Sequence, residues 1–256
     1  MPNLKPQTSN PESRFFGFRR VTPEEKTGLV REVFASVAQR YDLMNDVMSG
    51  GLHRLWKDRL VRMMTPKPGQ VILDVAGGTG DVACRCARRT EGKSRIIVCD
   101  INPAMLERGK VRAVDQGILQ GIEWTAGNAE ALPLPARGVD IYCIAFGLRN
   151  VTHIDKALSE AVRVLKPGGR FFCLEFSPGV APSLKPFYDR YCLEVLPRLG
   201  ALIAKDRAAY QYLAESIRQF PPQAVLAKRM ATAGLAQVTW HNLSGGIAVI
   251  HSGWKL

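Results

Sequence analysis

The sequence predicts an α/β protein built on a mostly parallel sheet with helices on both faces. The first observation is that five apolar segments, rich in β-branched or aromatic residues, alternate with helix-like segments. Such an alternation predicts parallel strands joined by right-handed crossovers. The second observation is a final pair of strand-like segments joined through Ser244-Gly245-Gly246, which predicts an antiparallel hairpin and brings the sheet to seven strands. The strand-like segments are QVILDVA (70–76), SRIIVCDI (94–101), GIEWTAG (121–127), VDIYCIAF (139–146), GRFFCLEF (169–176), AQVTWHNL (236–243) and GIAVIHSGW (246–254).

The helices follow from the segments between these strands. Asn102 stands directly before Pro103, which predicts an Asn N-cap with proline at the first helical position. Two regions lie outside the repeat: residues 23–66 are expected to form an N-terminal helical cover, and residues 178–235 a helical substrate insertion. Both are expected over the carboxyl ends of the strands, where ligands bind in such folds. The helix-like segments are 81–90, 103–117 and 154–165.

Composition and length set the domain organisation. The 256 residues, 46% of them hydrophobic, suit one substantial core, and we expect a single domain over residues 23–256. No apolar run reaches about 18 residues, so no helix is expected to span a bilayer. The opening MPNLKPQTSNPESR is polar and has neither the apolar region of a secretory signal nor a typical transit-peptide pattern. Residues 1–22 are therefore predicted to be a mobile arm.

Charge and cysteine content narrow the classes of function only in part. The net charge of +12 fits nucleic acid, an anionic membrane surface or a solvated basic face, and no block of five basic residues decides among them. The six cysteines form no CxxC pair, and several lie in strand-like segments. We therefore expect buried thiols in a reducing compartment, and no metal site or disulfide framework.

A glycine-rich turn follows the first strand of the repeat and precedes a helix. Gly78 and Gly80, which flank Thr79, allow a tight turn and close approach of a ligand to the backbone. A dinucleotide site would place pyrophosphate at the helix N-terminus, but Asp81 stands there and would repel phosphate. Ala83 at the third position of the dinucleotide pattern is an allowed variant and does not discriminate.

The ends of the next two strands favour a nucleoside without phosphates. Asp100 lies 21 residues after Thr79, at the distance where an acid holds ribose hydroxyls. Asn128 and Ala129 follow the third strand, where an amide can meet adenine. A turn or helix cap is the alternative role for Asp100. Together these residues favour S-adenosylmethionine over NAD as the cofactor.

Longer motifs resemble one family. YDLMNDVMSGGLHRLW (41–56) and RVLKPGGRFFCLEFS (163–177) resemble the two signature segments of the ubiquinone/menaquinone biosynthesis C-methyltransferase family. FGLRN (146–150) and NAEALP (128–133) resemble its other characteristic stretches, and the similarity runs from about Phe16 to the C-terminus. The resemblance implies a Rossmann-like, class I S-adenosylmethionine-dependent methyltransferase with a seven-stranded sheet.

The same resemblance implies site residues for the cofactor, which are Thr79, Asp100 and the Asn128-Ala129 pair. Bacterial members often have Ser before FGLRN, whereas this chain has Ala145 and loses that hydroxyl contact. The implied reaction moves a methyl group to a ring carbon of a polyprenyl quinol, either 2-polyprenyl-6-methoxy-1,4-benzoquinol, demethylmenaquinol or both.

Arg149, at the end of the fourth strand, is the candidate catalytic residue. Because arginine is permanently cationic, it can stabilise a phenolate or orient a water that removes the proton, but it cannot ordinarily act as a base. The alternative is a structural ion pair with an acid such as Glu175.

The segment 41–56 is expected to cover the cofactor and substrate. Tyr41, Asn45, His53 and Trp56 would line that cover, with Tyr41 closing over the methionine part of the cofactor. His53 is a candidate base, although a lone histidine is more often a hydrogen-bonded structural group. Trp56 is expected to serve packing.

A polyprenyl acceptor implies work at a membrane. We expect peripheral association with the anionic leaflet of the inner membrane from the cytoplasm in a bacterium, or from the matrix side in a mitochondrion. The amphipathic stretch 184–205 fits a tail channel, a membrane-facing helix or core packing. A homodimer and contacts with other quinone-biosynthesis enzymes remain open, and no nucleic acid partner is expected. The alternatives are an RNA methyltransferase, which the motifs do not support, and a silent scaffold, against which Asp100 and Arg149 argue.

Overall fold

One seven-stranded sheet organises the computed structural model, which describes residues 14–37, 46, 49–184, 186, 190, 191 and 207–256. A separate two-stranded hairpin precedes it. The strands are β1 (Arg14–Phe16), β2 (Arg19–Val21), β3 (Val71–Val75), β4 (Arg95–Asp100), β5 (Ile122–Ala126), β6 (Val139–Ala145), β7 (Leu165–Phe176), β8 (Ala236–Leu243) and β9 (Ala248–Trp254). The helices are α1 (Pro23–Val37), α2 (Leu52–Met64), α3 (Asp81–Arg89), α4 (Pro103–Asp115), α5 (Ile154–Val164), α6 (Arg207–Gln219) and α7 (Gln223–Thr232).

The strand order is β5-β4-β3-β6-β7-β9-β8. The first five strands are parallel, and β9 pairs antiparallel with both β7 and β8. The predicted fold class and the terminal antiparallel hairpin are therefore confirmed. From β3 the chain builds outward to β4 and β5 and then returns to place β6 on the other side of β3. This reversal creates a switch point at the carboxyl ends of β3 and β6, where open α/β sheets bind ligands.

Two apolar layers cover the sheet. Helices α2, α3 and α6 contribute buried residues such as Leu60 and Leu213 to the core on one face. Helices α5 and α7 contribute residues such as Leu158 and Met230 to the core on the other. The predicted cap of α4 is also present, because Asn102 Oδ1 accepts a hydrogen bond from Ala104 N at 3.0 Å and Pro103 opens the helix.

The N-terminal region differs from the prediction of a mobile arm over residues 1–22. Residues 14–21 form the β1–β2 hairpin, with Arg14 opposite Val21 and Phe16 opposite Arg19. The hairpin is held by long-range packing, since Val21 is buried and the Phe16 ring stacks on Tyr212 of α6 at 4.1 Å between centroids. Residues 1–13 lie outside the described residues.

The cover and the insertion are described in part. Helices α1 and α2 lie within 23–66, and α6 and α7 lie within 178–235, whereas most of the amphipathic stretch 184–205 lies outside the described residues. Across the described residues, no helix has the length and apolar content needed to cross a membrane, and no three His, Cys, Asp or Glu side chains are grouped to hold a metal ion. Five cysteines are buried free thiols, as predicted, and Cys192 lies outside the described part of the chain.

Candidate active site

A cavity of about 810 Å³, including its open mouth, lies at the carboxyl ends of β3, β4, β5 and β6. We call it the donor cavity. Four of the predicted cofactor residues line it: Gly78, Asp100, Asn128 and Ala129. Helix α1 supplies a wall of the cavity through three side chains, Thr27, Val30 and Arg31. Helix α1 and the glycine turn therefore line the same cavity.

Asp100 is the buried carboxylate of the donor cavity. Its Oδ2 accepts a hydrogen bond from Gly78 N and its Oδ1 accepts one from Asn102 N, both at 2.8 Å. Burial raises the pKa of Asp100, and the N–H groups of Asn102 and Gly78 partly offset that rise. Each carboxylate oxygen keeps a further lone pair. The side chain can therefore fix the glycine turn and still accept hydrogen bonds from the two hydroxyls of a ribose.

The packing of neighbouring side chains, as well as the cavity, requires glycine in this turn. Gly78 has φ +55° and Gly80 has φ +69°, both in the left-handed region that favours glycine. A Cβ on Gly80 would lie 2.5 Å from the Trp124 ring, so this glycine also makes room for β5. Thr79 is buried, its hydroxyl accepts a hydrogen bond from Arg112 Nη1 at 3.1 Å, and neither Thr79 nor Gly80 is among the residues that line the donor cavity.

Asp81 is part of an ion cluster and is not an isolated charge at the start of α3. Its carboxylate pairs with Lys57 at 2.9 Å and with Arg85 at 3.2 Å, and Arg112 lies 3.6 Å away. Burial opposes the charged form, but the three cations outweigh burial and hold the pKa of Asp81 well below its usual range. The argument that Asp81 repels phosphate is therefore weaker than the sequence suggested, because its charge is compensated. The case for a nucleoside ligand consequently rests on Asp100.

Three asparagines line the donor cavity, and two of them, Asn102 and Asn128, follow the carboxyl ends of β4 and β5. Asn128 Oδ1 accepts a hydrogen bond from Glu130 N at 3.0 Å, which holds the amide at the end of β5. Asn102 caps α4 through Oδ1, and its buried Nδ2 has no hydrogen-bond partner among the described residues. Sequence reasoning recognised Asn102 only as a cap, although its position two residues after Asp100 could have indicated its place in the wall. The hydroxyl-binding acid, the amides and the open glycine turn suit S-adenosylmethionine.

Arg149 lies in the turn that follows β6 and is almost fully buried. Its Nη1 donates to Glu175 Oε1 at 2.8 Å and to the carbonyl of Phe146, while its backbone N–H donates to Glu175 Oε2 at 3.2 Å. The guanidinium also lies over the Phe176 ring, 5.6 Å from its centroid. The ion pair that sequence reasoning considered as the alternative role is therefore present. Nε has no partner within the described residues, so this guanidinium retains a donor.

A second cavity, of about 1140 Å³ including its mouth, is lined by Arg149. It shares Val151 and Thr152 with the donor cavity, so the two cavities are neighbours on either side of the segment after β6. Aromatic and apolar side chains form much of the wall of this second cavity, and the remaining lining is mostly polar or basic. The aromatic and apolar residues that line it are Phe15, Val151, Ile154, Tyr212, Phe220 and Pro221.

His53 is buried in α2 and lines neither cavity. Its Nδ1 lies 3.0 Å from Ser49 Oγ and 3.6 Å from Asp46 Oδ1. Burial, assisted by the charge of Lys57, lowers the pKa of His53 to about 4. Tyr41, the residue expected to close over the cofactor, lies outside the described residues.

Trp56 joins the cover to the terminal hairpin. It is buried, its Nε1 donates to Ser244 Oγ at 3.0 Å, and its ring meets Phe176 edge-on at 5.8 Å. This is the packing role that the sequence predicted. It fixes the first turn of α2 at the carboxyl edge of the sheet.

The sheet order, the glycine turn and the carboxylate at the end of β4 define a class I S-adenosylmethionine-dependent methyltransferase. Solved structures share this fold. A methyltransferase from Thermotoga maritima, described as a possible histamine N-methyltransferase, is 19% identical with a TM-score of 0.63, covering 88% of this chain and 99% of its own. Phosphoethanolamine N-methyltransferase 2 of Haemonchus contortus, solved with S-adenosyl-L-methionine, is 13% identical with a TM-score of 0.58, covering 78% and 52%.

The particular family follows from the sequence relatives. The model of the ubiE/COQ5 methyltransferase family matches residues 20–255, and the chain belongs to that family. A ubiquinone/menaquinone biosynthesis C-methyltransferase of Brucella suis is 51% identical over 243 residues, which cover 94% of this chain and 90% of the relative. A mitochondrial 2-methoxy-6-polyprenyl-1,4-benzoquinol methylase of rice is 52% identical over 258 residues, covering 94% and 88%.

Proposed function

We propose that this chain catalyses the S-adenosylmethionine-dependent C-methylation of a polyprenyl quinol ring in ubiquinone or menaquinone biosynthesis. The observation that carries the proposal is the family match over residues 20–255, with relatives at about half identity named for this reaction. The acceptors to consider are 2-polyprenyl-6-methoxy-1,4-benzoquinol and demethylmenaquinol. An RNA methyltransferase and a silent scaffold are not favoured, because the relatives are named as quinone-biosynthesis methyltransferases.

The lining of the donor cavity supports a role for each of its predicted cofactor residues. Asp100 would hold the ribose hydroxyls, Asn128 and Ala129 would meet the adenine side, and the Gly78 backbone would allow close approach. The donor supplies an electrophilic methyl group on a positively charged sulfur. What the chain adds is alignment of the two reactants, an entropic effect that can be worth several kcal/mol.

Arg149 would act on the acceptor. A ring carbon becomes nucleophilic when a neighbouring hydroxyl loses its proton, and a fixed cation stabilises the resulting phenolate. The Glu175 ion pair does not exclude this role, because a guanidinium carries five N–H donors, its contacts with Glu175 and Phe146 use Nη1, and Arg149 lines the second cavity. Val151 and Thr152 are shared by the two cavities, which supports an acceptor in the second cavity and a donor in the first.

His53 is a weaker candidate for the base than the sequence suggested. A general base works best with a pKa near the operating pH, whereas the pKa of His53 is lowered to about 4 and its Nδ1 already meets Ser49. We therefore propose a structural role for His53 and an Arg149-bound water as proton acceptor. Closure of Tyr41 over the donor remains part of the proposal.

A polyprenyl acceptor lies in a bilayer, so the enzyme would work at a membrane surface. The net charge of +12 supports peripheral attachment to an anionic leaflet, on the cytoplasmic side in a bacterium or the matrix side in a mitochondrion. A homodimer or contacts with other quinone-biosynthesis enzymes would be compatible with such attachment.

The test measures methyl transfer from labelled S-adenosylmethionine to two reduced short-tail acceptors, a 6-methoxy-benzoquinol and a demethylmenaquinol. Arg149→Ala should lower kcat on the order of a hundredfold or more while the Kd of the donor is unchanged. Arg163→Ala is the matched control, because Arg163 also pairs with a glutamate, Glu160, but lines neither cavity. Label in neither acceptor, with donor binding intact, would reject the activity. A full rate for Arg149→Ala would reject the role of Arg149 but not the activity.

A further inference from the structure

The β1–β2 hairpin is a fixed element on the surface of the protein. Phe16 stacks on Tyr212 with 15° between the ring planes, and Val21 is buried. At the turn, Phe18 N donates a hydrogen bond to Glu215 Oε2 at 3.1 Å. One side of the hairpin and the backbone of its turn are thus bound to α6, whereas the Phe18 side chain and the other side of the hairpin are exposed.

The hairpin exposes aromatic rings and arginines to solvent. Phe15 is 40% exposed and Phe18, at the turn, is 51% exposed. Arg19 and Arg20 are exposed, and Arg20 Cζ lies 5.8 Å from the centroid of the Phe15 ring. Neither arginine forms an ion pair within the described part of the chain. Exposed rings that reach into lipid, beside uncompensated cations that meet anionic headgroups, are typical of a membrane-interface element.

The hairpin also lies at the mouth of the second cavity. Phe15 and Gly17 line that cavity together with Arg149. The cavity in turn shares Val151 and Thr152 with the donor cavity. A surface that binds the hairpin would therefore also lie against the opening through which an acceptor can reach Arg149.

We propose that the β1–β2 hairpin docks the enzyme on an anionic bilayer and holds the mouth of the second cavity at the level of the lipid headgroups. A bilayer is the occupant that fits, because the hairpin offers exposed aromatic rings and two exposed arginines that form no ion pair among the described residues, on a chain of net charge +12. The docking step rests on the proposed function for its purpose, which is to collect a lipid-borne acceptor. It does not rest on that function for the physical attraction to the membrane.

The test compares flotation of two triple variants with vesicles of phosphatidylcholine, with or without phosphatidylglycerol. The hairpin variant combines Phe18→Ser, Arg19→Gln and Arg20→Gln, which leaves the contacts of Phe16, Tyr212 and Glu215 in place. The matched control changes one exposed hydrophobic residue and two exposed arginines elsewhere. Its substitutions are Leu119→Ser, Arg88→Gln and Arg89→Gln, at exposed positions on α3 and after α4.

The hairpin variant should bind the anionic vesicles at least about twenty-five-fold more weakly than the unmodified protein, since each of the two arginines near an anionic surface contributes a factor of about five and loss of the Phe18 ring adds to this. The control, with the same change in net charge, should bind as the unmodified protein does. Equal vesicle binding by the hairpin variant, or an equal loss in the control, would overturn the proposal. The first of these outcomes would point to a protein partner for the hairpin, and the second to non-specific attraction of the whole surface.

Activity measurements separate this inference from the proposed function. With a short-tail quinol in solution, the hairpin variant should keep the full rate, because none of the three altered residues lines either cavity. With a long-tail quinol in anionic vesicles, its rate should fall in proportion to binding. If the unmodified protein methylates neither quinol, the proposed function fails, and the vesicle binding still decides the role of the hairpin. If the variant loses the short-tail rate as well, the hairpin acts on the site itself and the docking role is wrong.

Discussion

Glu175→Gln should be far more destabilising than its small change in shape implies. Glu175 is fully buried and compensates Arg149, whose side chain is 3% exposed, through contacts at 2.8 Å and 3.2 Å. It also accepts a hydrogen bond from Phe176 N at 2.9 Å, so both of its oxygens are in use. Glutamine offers one acceptor oxygen and turns an NH₂ group toward a donor. A buried guanidinium would be left without a counter-charge, which costs about 3–5 kcal/mol.

The assay is urea unfolding, with Glu123→Gln as the matched control. Glu123 also pairs with an arginine, Arg95 at 2.8 Å, but these side chains are 51% and 58% exposed, so the same change should cost at most about 1 kcal/mol. Glu175→Gln should also lower kcat more than donor affinity, because it frees Arg149 to move. A cost below about 1 kcal/mol for Glu175→Gln would refute the claim that charge compensation holds Arg149 in place.

Three further outcomes follow from packing, burial and hydrogen bonding. Gly109→Ala should lower the free energy of unfolding in urea by about 1–3 kcal/mol, because the new Cβ would lie 2.3 Å from the Trp124 ring. Gly28→Ala, whose Cβ would have nothing within 4 Å, should instead stabilise α1 by about 0.5–1 kcal/mol. Equal effects of the two substitutions would contradict the packing argument. Burial raises the pKa of Asp74 from 3.8 to about 7. As the pH rises between these two values, the unfolded state loses its proton first, so the free energy of unfolding falls by up to about 4 kcal/mol. Asp74→Asn should therefore raise Tm at pH 8 and leave it unchanged near pH 4, and a constant difference across pH would count against this. Asp100→Asn should weaken donor binding roughly 10- to 150-fold, because charged hydrogen bonds worth about 1.5–3 kcal/mol are lost. Calorimetry measures this change, and an unchanged Kd would remove Asp100 from the site.

The parallel sheet could be predicted from the sequence because its signals are local. Each strand is a short apolar run with turn residues beside it, and the cap at Asn102 is a signal of two adjacent residues. The start of β7 is the instructive difference. The strand-like segment in the sequence begins at Gly169, yet β7 begins at Leu165, because Leu165 pairs with Val139 and a bulge-like irregularity then adds three residues to β7 before Ile141 meets Arg170. A bulge is set by the neighbouring strand and leaves little local trace.

The N-terminal hairpin could not be predicted because its support is distant in sequence. Three-residue strands have almost no stability alone, so a polar start read as a mobile arm was the reasonable local interpretation. What holds the hairpin is Tyr212 and Glu215 on α6, close to 200 residues away. The aromatic residues Phe15, Phe16 and Phe18 in the first twenty were the available signal, since solvated arms seldom carry three such rings.

Charge pairing explains why one carboxylate of the site is available to a ligand. Asp81 is compensated by three cations, and Glu175 by Arg149. Glu130 also lines the donor cavity, but its Oε2 meets His153 Nδ1 at 2.7 Å and its Oε1 accepts the backbone N–H groups of residues 152 and 153. Among the described residues, Asp100 accepts hydrogen bonds from backbone N–H groups and has no cation at hydrogen-bond distance, so its charge is not compensated there. A carboxylate in that state favours hydroxyl donors and a cationic ligand nearby, and a sulfonium-bearing nucleoside has both.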